Sequence, residues 1–186
     1  MSALSRSLTT LAIAAVGLGL HAEDFNAVMD VARQTWPEKT RIGIVCDYSK
    51  NQEAIQQLAM AAGSGTTLLV MDTRHISEVP MAQHRLQQRK TDFMVLLPND
   101  RIIRDGSFDA TMLVGRMAIK GIPTIATTPI ALKQGAVFSI GDGTHGQLMV
   151  CDHPTGTVSV ILPQKGEIIR RSVRTAAKIE VLEARS

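Results

Sequence analysis

Aromatic side chains are nearly missing from this 186-residue chain: four Phe, one Trp and one Tyr make up 3% of it. A core assembled without them has to be aliphatic. Positive charge is equally unconcentrated. Lys and Arg number 20 against 17 Asp and Glu, and no stretch gathers five or six basic residues with interleaved aromatics, so nucleic acid is not an expected partner. The nearest thing to a basic cluster, Arg170, Arg171 and Arg174, reads as a solvated helix face. Sequence patterns of common catalytic turns are lacking too. There is no Gly-x-Ser-x-Gly elbow, no phosphate loop ending in Gly-Lys-Ser/Thr, and no Gly-x-Gly-x-x-Gly turn leading into an expected helix. The glycine-rich Gly141-Asp142-Gly143-Thr144-His145-Gly146 reads as off the dinucleotide spacing and, with no expected helix after it, as a surface turn, and no cofactor is expected.

What is present is the balance of an ordinary globular protein, 45% hydrophobic and 20% charged. Met1 to Ala22 carries one positive charge at Arg6, an apolar run from Leu8 to Leu20, and His21-Ala22 ahead of Glu23-Asp24. That layout is expected of a secretory signal peptide, and the run is short for a bilayer core of about 30 Å. With no Cys after it, the expected product is unlipidated and periplasmic. Residues 23–186 suit one domain with one core.

Hydrophobic periodicity organises that domain. Asp24 to Trp36 reads as an amphipathic helix with Phe25, Val28, Met29, Ala32 and Trp36 near one face. Arg41 to Cys46 is a continuous apolar run, the pattern of a strand buried on both faces. A helix from about Asn51 to Ala62 follows, then a strand from Thr66 to Met71 and a helix opened by Ser77-Glu78. The next strand is Asp92 to Leu97, and a helix from Phe108 to Lys120 stops at Gly121. Strands at Pro123 to Ala126 and Ala136 to Ile140 flank a brief helix ending at Gln134. Five strands alternating with helices predict an open, wound, mainly parallel α/β sheet. Beyond it, Gln147 to Cys151 and Thr157 to Leu162 read as short strands around Pro154-Thr155-Gly156, and Ser172 to Leu182 reads as a closing helix.

In such a sheet ligands bind beyond the carboxyl ends of the strands. Those ends carry Asp47, Tyr48 and Ser49, Asp72-Thr73, Asn99 and Asp100, Thr127 and Thr128, and Asp142. All present hydroxyl, amide or carboxylate groups where helix N-termini also point N–H groups; the same residue types are also helix caps and turn formers. Cys46 and Cys151 stand in matching contexts, each after an apolar run and before Asp. Either they form a disulfide in an oxidising compartment or they are buried, inert thiols. Cys46, Cys151, His145, His153 and Asp152 match no dependable metal spacing. A Ser49, His145 and Asp142 hydrolase arrangement lacks the strained turn a nucleophile needs. No metal and no catalytic residue is expected.

The succession of segments resembles the ABC-transporter substrate-binding family whose members bind tryptophan, tyrosine and similar solutes, in its C-terminal lobe. Trp36-Pro37 with Lys39-Thr40-Arg41-Ile42-Gly43-Ile44-Val45 is similar to the opening of that lobe. Ser77-Glu78-Val79-Pro80, Asp92 to Asp100, Gly121 to Ala126, Lys133 to Gly141 and Arg174 to Lys178 follow in the family's order. The resemblance runs over about residues 25 to 182. It implies a flavodoxin-like sheet with helices on both faces and ligand-facing Asp47, Tyr48, Ser49, Asn99, Asp100, Thr127, Thr128 and Asp142. It departs from the family in supplying one lobe, so that a second subunit in a homodimer would have to provide the other wall, and in the loop after Gly141. The chain also resembles the small periplasmic repressors of membrane diguanylate cyclases, with which Ile122 to Ile125 and Gly135 to Phe138 fit. The expected function is a non-catalytic, exported binding module for a small-molecule ligand or a partner protein; the alternative is a regulatory protein that docks on a membrane partner.

Overall fold

The computed structural model describes residues 22–104, 106–126, 131, 134–140, 147–152, 156–161 and 176–184, the side chains of 22–24, 138–140, 147–152 and 156–161 excepted. The chain is an α/β protein. Its helices are α1 (Ala22–Thr35), α2 (Tyr48–Ala62), α3 (Val79–Gln88) and α4 (Phe108–Ile119). Its strands are β1 (Arg41–Cys46), β2 (Thr67–Asp72), β3 (Phe93–Leu96), β4 (Thr124–Ala126), β5 (Phe138–Ile140), β6 (Gln147–Asp152), β7 (Gly156–Ile161) and β8 (Lys178–Glu183). They form one sheet in the order β7-β6-β5-β4-β3-β1-β2-β8. From β5 to β8 every pair is parallel, and β6 and β7 extend the other side antiparallel.

Apolar runs become buried strands here because successive side chains feed different layers. Ile42, Ile44 and Cys46, with Leu68, Val70, Phe93, Val95 and Leu97, pack against Phe25, Val28, Met29 and Ala32 of α1 and Ile55, Leu58 and Ala59 of α2. The alternate residues Val45, Leu69, Met71, Met94 and Leu96 pack against Val79, Ala82 and Leu86 of α3 and Ala110, Leu113, Val114 and Met117 of α4. Gly43 lets α3 come close: a Cβ there would lie 2.8 Å from Thr91 Cγ2 and 3.1 Å from Leu86 Cδ2. Gly121, in the left-handed region at φ 72°, follows α4 as expected of a C-terminal stop.

Three expectations are corrected. The helix expected from Asn51 begins at Tyr48, so Tyr48 and Ser49 stand in its first turn rather than in a loop. The closing helix expected over Ser172 to Leu182 is, from Lys178 on, the strand β8, paired in register from Thr67↔Lys178 to Asp72↔Glu183. Lys178 and Glu180, two residues apart, form an ion pair at 2.7 Å, the spacing at which side chains share a strand face and not a helix face. Finally, the glycines at 141, 143 and 146 do carry the spacing of a dinucleotide turn, but the element after them is a strand. That segment, the proposed leader through His21, and Arg170, Arg171 and Arg174 lie outside the described residues.

Candidate functional site

The sheet grows outward in both directions from β1: α2 carries the chain to β2 on one side, and α3 returns it past β1 to β3 on the other. After β1 the chain leaves through α2 on one face, and after β3 it leaves through α4 on the other, the arrangement in which ligand crevices form beyond the carboxyl ends of neighbouring strands. The polar groups there are bonded to one another.

Asp100, buried in the loop after β3, is the centre of the arrangement. Its Oδ2 accepts the backbone N–H of Asp47 at 2.9 Å and the Asn51 amide at 2.7 Å; its Oδ1 accepts the N–H groups of Ile102 and Ile103 at 2.8 and 2.7 Å. Four donors match the capacity of a carboxylate. Asn51, on the first turn of α2, also donates to the Asp47 carbonyl at 2.9 Å.

Asp47, buried at the entry to α2, has extended backbone and does not cap the helix with its side chain. Its Oδ1 accepts the Ser49 hydroxyl and its Oδ2 accepts Arg101 Nε, both at 2.7 Å. The Ser49 hydrogen bond, followed by the charge of Arg101, holds this carboxyl below its ordinary range although burial acts the other way. A carboxylate so depressed is a weak base. Ser49 donates its hydroxyl to this carboxylate.

The end of β2 joins the same edge. Asp72 accepts the Tyr48 N–H at 3.1 Å and faces Arg74 at 3.4 Å, while the Thr73 N–H donates to the Cys46 carbonyl at 2.9 Å. Behind the three acids lies the Cys46 thiol, buried and free. Burial pushes its pKa up, and the charges of Asp100, Asp72 and Asp47 add to the effect. Cys151 belongs to β6, four strand spacings from β1. That is about 19 Å at about 4.8 Å each, against a reach of about 7 Å for a disulfide. The disulfide alternative is thereby corrected.

Of the expected rim, Asp47, Tyr48, Ser49, Asn99 and Asp100 come together at this edge; Thr127, Thr128 and Asp142 lie outside the described residues. β4 is parallel to β3, with Leu96 opposite Ala126, so its end points the same way. Asp72 stood on the expected rim without being counted among the ligand-facing residues, and sequence reading did not name Asn51 or Arg101 there. Asp72 had a signal, an acid closing an apolar run as Asp47 does. Arg101 had none beyond its position next to Asp100.

The buried acids are committed within the chain. What an incoming molecule meets is Arg101, whose side chain is 60% exposed, together with exposed Ser49 and Asn99 and half-buried Tyr48. Among the described residues, no three His, Cys, Asp or Glu side chains are grouped to hold a metal ion. Compared with models of protein families the chain matches none, and a search of curated proteins gives no match.

Proposed function

We propose that this chain is an exported, non-catalytic binding module of one lobe, taking a small polar solute at the edge where β1 and β3 part. The observation that supports this reading is the Asp47–Asp100 connection. It ties the loop after β3 to the start of α2, and Arg101, bound to Asp47 through Nε, keeps a largely exposed side chain. A rim set before a ligand arrives loses little freedom on binding. Ser49, held by a weakly basic carboxylate, supplies hydrogen bonding without nucleophilic chemistry. The resemblance to the lobe of transporter binding proteins agrees with a site at this edge.

A thermal-shift panel of amino acids, sugars, nucleotides and small organic anions tests the reading. A solute at 100 times its Kd should stabilise the fold by about 2.7 kcal/mol, and Arg101→Ala should weaken that shift while Lys120→Ala, at the far end of α4, leaves it intact. If no solute shifts the transition and the purified protein instead captures a membrane signalling protein, the regulatory alternative replaces this one.

A further inference from the structure

The outer face of α4 carries a second binding feature, separate from the strand-end edge. Its inward residues Ala110, Leu113, Val114 and Met117 are buried. At about 100° per residue, Phe108, Met112, Gly115 and Ile119 fall on one line diametrically opposite. Phe108 is 75% exposed, Ile119 84% and Met112 37%. A helix of one layer normally turns polar residues to that side.

Gly115 is unusual in the same way. A Cβ added there would meet nothing within 4 Å, so nothing inside the chain requires glycine, although glycine is an unfavourable residue in a helix interior. A bare position between Met112 and Ile119 is a hole that an approaching side chain can enter.

The charges on this helix choose the occupant. Asp109 and Arg116, seven residues apart, lie on the same flank of the apolar line, and among the described residues neither has an ion-pair partner within the chain. The other flank carries Thr111 and Ala118. When two helices pack antiparallel about a two-fold axis, equal flanks meet. Asp109 of one copy then lies beside Arg116 of the next, twice, while Phe108 lies over Ile119 and Met112 over Gly115. A parallel pair would set the charged flank against Thr111 and Ala118 and leave the charges unmatched.

We propose that α4 is a self-association surface, and that two copies of this chain pair antiparallel through Phe108, Met112, Gly115 and Ile119 with reciprocal Asp109–Arg116 ion pairs. An isologous contact of this kind needs only one self-complementary patch. The helix is about 18 Å long, shorter than the span of a standard interface of about 800 Å² per partner. The pairing is accordingly weak and concentration-dependent.

Sedimentation velocity of the full chain, from micromolar concentrations to about 1 mM, the weak end of the affinity scale, reads it directly. The expected result is a monomer–dimer equilibrium that Ile119→Glu shifts to monomer by tenfold or more in Kd. Asp109→Arg and Arg116→Asp should each weaken pairing, and the double reversal should restore it. Restoration is a readout that loss of folding cannot imitate, and circular dichroism checks the fold of each variant. A wild-type chain that stays monomeric throughout overturns the proposal, as does a dimer indifferent to Ile119→Glu or a double reversal no better than the singles. So does a monomer that sediments with anionic phospholipid vesicles through this face.

Discussion

The carboxylate of Asp100 accepts the backbone N–H of Asp47 at 2.9 Å, so that a side chain from the loop after β3 closes the end of β1. The same oxygen holds Asn51 of α2 and the other oxygen holds the next turn of its own loop. The end of β1, the first turn of α2 and the loop after β3 share a single carboxylate, and its removal should be felt in all three.

Asp100→Ala is expected to destabilise the fold by about 3–5 kcal/mol, since several buried donors lose their acceptor at once and each unmet group costs about 1–3 kcal/mol. Asp100→Asn should cost less, because one carbonyl oxygen remains. Urea denaturation of the three proteins checks the order. Equal stability of Asp100→Ala and the parent would remove Asp100 from the centre of the site.

Acid should act through Asp47. Its folded pKa lies below the ordinary Asp value, so the stability it contributes is complete above about pH 4. It is lost as pH falls through the depressed folded value. At neutral pH Asp47→Asn should cost on the order of 1–2 kcal/mol, the exposed Arg101 partner contributing little. Once pH has fallen below that depressed value the two proteins should converge. A gap that never narrows as the fold is titrated into acid would show that the charge of Asp47 is not what stabilises.

Gly43→Ala should destabilise by about 1–3 kcal/mol through overpacking, because the new methyl would meet Thr91 Cγ2 at 2.8 Å. Thr91→Ser removes that methyl and keeps the hydroxyl bond to the Leu86 carbonyl. In the double variant part of the loss should return, a coupling that a double-mutant cycle measures. Strict additivity of the two substitutions would contradict the contact.

Cys46 should be chemically silent in the folded protein. In a Cys151→Ser background a thiol reagent should find nothing to modify until denaturant is added, and then one thiol per chain. Reductant should leave the thermal transition of the parent unchanged. Rapid labelling under native conditions would mean that the edge opens far more often than its bonded geometry implies.

Most of the parallel sheet was legible because long aliphatic runs ended in Asp, Asn or Thr at nearly regular intervals, and a strand buried on both faces needs nothing subtler than that. The convergence of Asp47 and Asp100 on one edge followed from the fold class. Their bonds to each other did not, because they depend on how Asn51 and the N–H groups of Ile102 and Ile103 are oriented. β8 was misread since Arg and Ala before it favour a helix, whereas its partner, β2, is remote in the chain. The alternation of Lys178, Ile179 and Glu180 was the available sign of a strand. Helix α2 was started three residues late because Tyr48 and Ser49 looked like rim groups rather than a first turn.

β2 carries Leu68, Leu69, Val70 and Met71 and has β1 on one side and β8 on the other. During synthesis its β1 neighbour is available early, while the strand opposite arrives only after the rest of the sheet has been made. Until then β2 is an open, apolar template, the kind of border that recruits foreign strands. Slow translation, or a nick between Ile161 and Lys178, would be expected to yield aggregates rather than a looser version of the native molecule.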